Sequence, residues 1–293
     1  MGDGTRRARA PMPELPEVET VVRLLRPDVV GRTIRRAEVL WARTVLPGTP
    51  RRFMQRTRAC KVVRLWRRAK YIVFDLEREG ASAGVLLCHL RMTGRLHVLA
   101  TRDEVGPWGR VALELDDARW LEFLDVRKFG RFHWSPHLEA GVPALGPEPL
   151  EPVFTAGWLR TALAARRRRI KPLLLDQAFV AGLGNIYVDE ALFMAGIHPL
   201  TPSHRVSKAK AERLHDAIVT TLKEAIRREG SSFDTFYRTP EGQPGAYQHQ
   251  FQVYGRTGRS CRRCESTIRR LTVGGRGTHV CPRCQRLPRK STS

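Results

Sequence analysis

The chain has little acidic charge and no long apolar run. Its 52 lysines and arginines outnumber 29 aspartates and glutamates, which gives a net charge of +23 and a pI of about 11.0. No apolar run approaches the ~18 residues of a membrane-spanning helix, and no amphipathic segment has the aromatic face of an interfacial anchor. These absences exclude a membrane protein, and the positive charge favours nucleic acid over an anionic membrane surface as the partner.

Cysteine is also scarce, with six in 293 residues. Residues 1–11 are rich in glycine and arginine and lack the ~7–15-residue apolar core of a secretory signal. We therefore expect them to be a disordered leader or to precede the true start of the protein. Cys60 and Cys88 stand alone in strand-like segments, which is typical of buried thiols in a reducing compartment. The length and the hydrophobic fraction of 42% predict two domains with real cores.

The other four cysteines form a paired pattern near the C-terminus. Cys261 and Cys264 are separated by two residues, as are Cys281 and Cys284, and sixteen residues lie between the pairs. Two such tight turns can place four thiolates around one tetrahedral zinc ion. Two disulfides or a redox dithiol are alternatives. The chain lacks the secretion signal that disulfides would suggest and the βαβ pattern that a redox dithiol would suggest. The pattern predicts one structural Zn²⁺, with residues 268–280 forming a hairpin between the pairs.

Hydrophobic periodicity changes along the chain. A first helix ends near Arg26, and seven short segments rich in β-forming residues follow it. These segments are Thr33–Arg43, Cys60–Trp66, Tyr71–Glu77, Gly84–Leu90, Arg95–Leu99, Val111–Leu115 and Trp120–Leu124. They predict an antiparallel sandwich. Residues 141–154 contain four prolines and two glycines and predict an interdomain linker. Helical periodicity then marks Thr155–Ala165, Ile186–Ala195 and Ser207–Arg228.

The string Met12-Pro13-Glu14-Leu15-Pro16-Glu17 can carry chemistry. If translation starts at Met12 and this residue is removed, Pro13 offers an α-amine whose pKa is about 8, against about 10.4 for lysine. More of that amine is unprotonated and able to attack a sugar carbon, and Glu14 beside it can shuttle protons. The alternative is a capped helix with Pro16 in its first turn. Inside a longer chain the Pro13 nitrogen is an amide, so the catalytic hypothesis requires a mature protein that begins at Pro13.

This N-terminal string resembles that of formamidopyrimidine-DNA glycosylases. Further motifs of that family follow in the same order: Arg67 to Tyr71, His89 to Gly94, Asp125 to Gly130, Gly182 to Tyr187 with Ala195 to Pro199, and the cysteine pairs. The resemblance covers Met12 to Arg286 and implies an α+β fold. It implies an N-terminal antiparallel β-sandwich with a flanking helix over residues 12–140, and the linker over residues 141–154. A helix-two-turns-helix DNA-binding domain over residues 155–250 and a zinc-finger hairpin over residues 251–288 would follow.

The resemblance also implies a function. It is that of a bifunctional DNA glycosylase and AP lyase of base excision repair, which removes oxidised purines (8-oxoguanine and formamidopyrimidines). Damaged double-stranded DNA would be the partner of a monomeric enzyme in the bacterial cytoplasm, associated with the nucleoid. Pro13 would be the Schiff-base nucleophile and Glu14 the proton donor for base release. Lys70 and Arg276 would be the proton donors for β- and δ-elimination.

DNA contacts are implied for a further set of residues: His89, Met92, Arg127, Phe129, Lys171 and Asn185. Met92, Arg127 and Phe129 would enter the duplex as the damaged base leaves it, which offsets part of the unstacking cost. The simpler alternative makes Met92 and Phe129 core residues and Lys70 a solvated charge at a strand end. The helix start at Gly184 can offer free N–H groups to a phosphate. The long loop 231–247 would cover the flipped base.

Three alternative functions remain at this stage. The endonuclease VIII branch removes oxidised pyrimidines, but its members resemble P-E-G-P-E at the start, where this chain has Leu15. A catalytically silent DNA-binding protein fits the charge and the zinc if Pro13 is not a free N-terminus. An RNA-binding zinc-ribbon protein would account for the charge. It would give no role to Pro13, to Glu14 or to the two segments that carry Met92, Arg127 and Phe129.

Overall fold

The computed structural model describes residues 12–232 and 237–287. The predicted leader therefore lies outside the described residues. The N-terminal elements are α1 (Leu15–Val29), β1 (Thr33–Val39), α2 (Pro50–Thr57), β2 (Cys60–Arg68), β3 (Tyr71–Arg78), β4 (Ala81–His89), β5 (Gly94–Leu99), β6 (Gly109–Leu115), β7 (Trp120–Asp125) and β8 (Arg131–Ser135). The following elements are α3 (Leu138–Gly141), α4 (Ala156–Ala164), α5 (Ile170–Leu174), α6 (Asn185–Met194), α7 (Lys208–Arg227), β9 (Arg269–Val273) and β10 (Arg276–Val280).

Strands β1 to β8 form one antiparallel sheet in the order β5-β7-β6-β1-β2-β3-β4-β8. The sheet folds over itself, because Phe123 near one end contacts Phe132 at the other with ring centroids 5.9 Å apart. The apolar face of α1, including Val18, Val22 and Leu25, packs into the same core. The α+β class with an antiparallel sandwich and a flanking helix is thus confirmed.

Several local predictions differ from the structure. The strand expected over Thr33–Arg43 ends at Val39, and a short 3₁₀ turn at Ala42–Val45 follows it. Helix α1 continues one turn past Arg26 because Val29 is still buried against the sheet. Helix α2 was not predicted, since its eight residues contain too few apolar positions to show a period. Strand β8 was also not predicted, because arginine and histidine interrupt its short apolar pattern.

Helices α4 to α7 surround a second core, to which Leu15 of α1 also contributes. Strands β9 and β10 pair as the predicted hairpin, and Phe193 of α6 packs against the buried residues of this segment. Among the described residues, we find no helix with the length and apolarity to cross a membrane.

Candidate active site

The start of α1 places Glu14 against the start of α6. The Glu14 side chain is only 2% exposed, and its carboxylate accepts the N–H groups of Ile186 (2.9 Å) and Tyr187 (3.4 Å). Gly184 permits this approach, because a Cβ there would lie 2.2 Å from Cδ of Glu14. The expectation that these N–H groups bind a phosphate is therefore wrong: the helix N-terminus already binds a carboxylate.

Glu17, one turn along α1, links three separate segments. Its carboxylate accepts the N–H of Glu14 (2.9 Å), the N–H of Ser231 (2.8 Å) and the hydroxyl of Tyr187 (2.5 Å). Ser231 opens the segment 231–247 that was predicted to cover the base, and residues 233–236 of that segment lie outside the described residues. The buried Glu17 thus fixes the first residue of this segment beside Glu14.

Lys70 lies in the turn between β2 and β3, and its side chain is buried rather than solvated. The string Arg67 to Tyr71 therefore spans the end of β2, a tight turn and the first residue of β3, where the predicted strand begins. Burial raises the pKa of Glu14 to about 7, with the charge of Lys70 opposing and that of Glu17 adding to the rise. Burial also lowers the pKa of Lys70, against the attraction of Glu14. A carboxyl and an amine with pKa values shifted toward each other can donate and accept protons near neutral pH.

A residue of the predicted linker holds this turn. The Glu148 carboxylate accepts the N–H of Ala69 (2.6 Å) and ion-pairs with Arg67 (2.6 Å) and Arg68 (2.7 Å). Ala69 has a positive φ of 52°, so the turn is unusual for a residue with a Cβ. Glu148 was not among the predicted site residues, although an acidic residue between two prolines was the available signal. It positions the backbone that carries Lys70.

The zinc hairpin is joined to the helical core through a buried ion pair. Lys171 is 0% exposed, and its Nζ contacts Oδ1 of Asp189 (2.6 Å) and the carbonyl of Gly277 in β10 (3.2 Å). The expected direct contact of Lys171 with DNA does not fit this geometry, because the ammonium is enclosed by protein. Four consecutive arginines just before Lys171, residues 166–169, are exposed instead.

Arg276 and Asn185 meet at the same hairpin. Asn185 donates from Nδ2 to the carbonyl of Gly277 (3.0 Å), and Arg276, one residue earlier, has an exposed side chain. The charge of Arg276 contributes to lowering the pKa of Lys70, after the larger effect of burial. The structure therefore brings Glu14, Lys70, Asn185 and Arg276 to one site from four distant parts of the sequence.

The four cysteines form a metal-binding cluster. Their Sγ atoms all lie within 4.8 Å of one another, with Cys261 3.9 Å from Cys284 and Cys264 3.4 Å from Cys281. Tetrahedral coordination with Zn–S bonds of about 2.3 Å requires sulfur atoms about 3.8 Å apart. The donor set and spacing fit the predicted structural zinc ion, whose place in the hairpin is far from Glu14 along the chain.

Two loops near the active site carry the expected wedge residues. We name residues 90–93 the Met92 turn and residues 126–130 the Phe129 loop. Phe129 is 50% exposed, so its alternative assignment to the core is wrong, and Met92 is half-buried. The exposed Arg127 stacks on Phe129 with its Cζ 5.0 Å from the ring centroid.

His89, at the end of β4, is less accessible than expected of a DNA contact. Its side chain is buried, and Nδ1 accepts the N–H of Arg91 (3.0 Å). Burial, with the charges of Arg91 and Lys70, lowers the pKa of His89 to about 3. The ring is therefore neutral at physiological pH, and it packs edge-on against Tyr71 with centroids 4.8 Å apart.

Trp108 was also not among the predicted site residues. The Trp108 side chain is 48% exposed. The main-chain carbonyl of Trp108 accepts the N–H of Asp125 (2.9 Å), where the Phe129 loop begins. The available signal was a large aromatic residue directly after Gly106 and Pro107. Trp108 is therefore a second exposed aromatic residue whose main chain is tied to the start of the Phe129 loop.

Three family profiles match successive parts of the chain. The formamidopyrimidine-DNA glycosylase N-terminal domain matches residues 12–132, and the formamidopyrimidine-DNA glycosylase H2TH domain matches residues 145–237. The zinc finger found in FPG and IleRS matches residues 260–287. Formamidopyrimidine-DNA glycosylases of Synechococcus sp. and Geobacillus kaustophilus are each 44% identical over 280 residues, which is 94% of this chain and 99% and 100% of theirs.

Solved structures agree with these matches. The MutM (Fpg) protein of Thermus thermophilus superposes with a TM-score of 0.82 at 38% identity, covering 93% of this chain and 98% of that one. The Lactococcus lactis Fpg in complex with DNA containing an abasic site gives a TM-score of 0.84 at 35% identity, with 94% and 100% coverage.

Proposed function

Because the chain belongs to the formamidopyrimidine-DNA glycosylase family, whose members are DNA glycosylases of base excision repair, we propose that it removes oxidised purines from duplex DNA. The expected substrates are 8-oxoguanine and formamidopyrimidines, and cleavage of the abasic strand follows base release. The observation that carries this proposal is the buried Glu14, held at the start of α6 with its pKa raised to about 7. It lies directly after Pro13, and the positive charge of Lys70 opposes the rise of its pKa.

The proposed reaction begins at a free Pro13 amine. Its nitrogen attacks C1′ of the damaged nucleotide, and the C1′–N9 bond breaks as the base takes a proton that Glu14 supplies. The Pro13 nitrogen then loses its proton and the C1′–O4′ bond breaks as O4′ takes a proton, so an iminium joins C1′ to the protein. This iminium makes the adjacent sugar protons acidic, so the 3′ and then the 5′ phosphate can leave by β- and δ-elimination. Lys70 is the proposed proton carrier for the first elimination and Arg276 for the second.

We propose that damaged duplex DNA binds across the end of the sheet that carries both loops, with the protein acting as a monomer. Support comes from the net charge of +23 and from the exposed Arg127 and Phe129. A solved Lactococcus lactis Fpg complex contains DNA with an abasic site. Met92, Arg127 and Phe129 would fill the space that the flipped nucleotide leaves, while Trp108 would pack on the adjacent duplex. Asn185 and Arg276 would contact the backbone at the lesion.

Borohydride trapping on an 8-oxoguanine:cytosine duplex tests the proposal. Protein that begins at Pro13, verified by intact mass, is compared with protein that retains residues 1–12. We expect a covalent adduct only from the first, because only it has an α-amine at Pro13. DNA binding without an adduct from either protein would leave a damage-binding protein and overturn the enzymatic mechanism. A parallel duplex with an oxidised pyrimidine separates the endonuclease VIII activity from the proposed one.

A further inference from the structure

We propose that Asp125 and Thr93 are positioning residues that join the Met92 turn and the Phe129 loop into one preorganised wedge. This inference rests on the proposed function, because it assumes that Met92, Arg127 and Phe129 enter the duplex when the damaged base leaves it. Asp125 ends β7, directly before the Phe129 loop, and Thr93 ends the Met92 turn, directly before β5. The two residues thus stand where both loops leave the sheet.

One buried carboxylate bonds to both loops. Oδ1 of Asp125 accepts the hydroxyl of Thr93 and the N–H of Arg127 (3.2 Å), while Oδ2 accepts the N–H of Gly130 (2.7 Å). The Thr93 oxygen in turn accepts the N–H of Arg127 (3.2 Å). The hydroxyl therefore donates to one member of this cluster and accepts from another, which fixes its orientation. Phe129 lies inside the span that these bonds close.

The main chain of Asp125 is held as firmly as its side chain. Its N–H donates to the carbonyl of Trp108 (2.9 Å), and its carbonyl accepts Nε of the buried Arg110 (2.8 Å). Asp125 also pairs with Gly94, the first residue of β5. The main chain of Asp125 is thus anchored to β5 and to the start of β6, while its carboxylate bonds to the two loops.

Both loops contain backbone that needs such support. Arg91 has a φ of 54° and Lys128 a φ of 61°, a left-handed conformation that residues with a Cβ adopt only when their surroundings impose it. Gly130 packs so tightly that a Cβ there would lie 2.4 Å from the Phe123 ring. Without the Asp125 bonds, we expect the loops to relax and their tips to lose alignment. Misplacement by about 1 Å can reduce a rate by roughly 100-fold.

The experiment compares Asp125→Ala, Thr93→Val and Thr93→Ser with the wild-type protein that begins at Pro13. Single-turnover release of 8-oxoguanine is measured beside cleavage of a preformed abasic site. Fluorescence of 2-aminopurine next to the lesion reports unstacking. We expect base release to fall about 10- to 100-fold in Asp125→Ala and less in Thr93→Val, with the unstacking phase slowed in parallel. Thr93→Ser keeps the hydroxyl and should restore the wild-type rate.

The abasic substrate distinguishes a wedge defect from general damage. Flipping a sugar without a base costs less unstacking energy, so its cleavage should change by less than about threefold. Equal losses on both substrates in Thr93→Val would overturn the inference, and so would an unchanged unstacking phase. If Asp125→Ala does not fold, the comparison of Thr93→Val with Thr93→Ser decides the question.

Phe129→Ala separates this inference from the proposed function. If Phe129→Ala leaves unstacking and base release unchanged, the wedge itself is wrong and the positioning role falls with it. If Phe129→Ala slows unstacking while Asp125→Ala and Thr93→Val do not, the wedge stands and only the positioning role is overturned.

Discussion

The centre at Glu14 and the rim at Phe129 lie at the same end of the sheet but have opposite character. Glu14 is 2% exposed and Phe129 is 50% exposed. Burial disfavours the charged forms of Glu14 and Lys70 and so shifts their pKa values toward each other. Exposure of Phe129 leaves apolar surface in water until a partner covers it. Proton transfer therefore depends on groups shielded from solvent, whereas displacement of the base depends on an apolar side chain exposed to it.

The two regions are also held differently. Several segments enclose the centre, with N–H groups of α6 on Glu14 and the N–H of Ser231 on Glu17. The rim depends on the carboxylate of Asp125, which bonds to both loops. We therefore expect substitutions at the centre to change the chemistry, whereas substitutions at the rim change which nucleotide reaches it and how fast.

The largest effect is expected for Glu14→Gln. The amide oxygen can still accept the N–H of Ile186, the shorter of the two α6 bonds, but the side chain no longer supplies a proton to the departing base. Base release should fall by about 10²- to 10⁴-fold, while cleavage of a preformed abasic site should fall much less. Single-turnover assays on both substrates measure this, with the exposed Glu212→Gln as the matched control. Equal losses on both substrates would contradict the role assigned to Glu14.

Cys281→Ser tests whether the zinc hairpin completes the centre. Metal binding supplies on the order of 10 kcal/mol of folding free energy to such a segment. Its loss should release Arg276 and Gly277 from α6 and weaken DNA binding by at least about tenfold, while the sandwich stays folded. Zinc content, circular dichroism and a DNA titration measure these outcomes. Cys60→Ser is the control, because its thiol already donates to a carbonyl that a hydroxyl can reach. A zinc-free protein with wild-type affinity would refute the prediction.

The pH dependence of base release should report the pKa of Glu14, which is about 7. The donor is the protonated carboxyl, so activity is present below this pKa and is lost as pH rises through it. The Pro13 amine, with a pKa of about 8, imposes the opposite limb because only its neutral form attacks. We expect 8-oxoguanine release to show a bell-shaped pH profile with its maximum between these two pKa values. On abasic DNA the limb from Glu14 should be absent, and its persistence there would assign it to another group.

Local spacing in the sequence was sufficient for the zinc ligands, whereas the roles of Pro13 and Glu14 came from the family resemblance and stay a prediction. The partners that tune Glu14 were not predictable, because its bond to Ile186 joins residues 172 positions apart. Lys171 shows that a distant partner can also remove a predicted contact. The family resemblance implied a DNA contact for it, but Asp189, eighteen positions later, holds it inside the protein. Glu148 and Asp125 also bind backbone N–H groups, and such contacts leave no pattern in the sequence.

The smallest effect is expected for Arg127→Ala, and it should appear in specificity more than in rate. The exposed guanidinium stacks on Phe129, and its N–H groups, which have no hydrogen-bond partner among the described residues, can meet O2 and N3 of an orphaned cytosine. A bidentate contact of this kind is worth about 1–3 kcal/mol of discrimination. The ratio of base release opposite cytosine to that opposite adenine should therefore fall about tenfold. Lys128→Ala removes a neighbouring cation, which lies on Trp41, and should leave the ratio unchanged. An unchanged ratio in Arg127→Ala would show that the rim displaces the base without reading its partner.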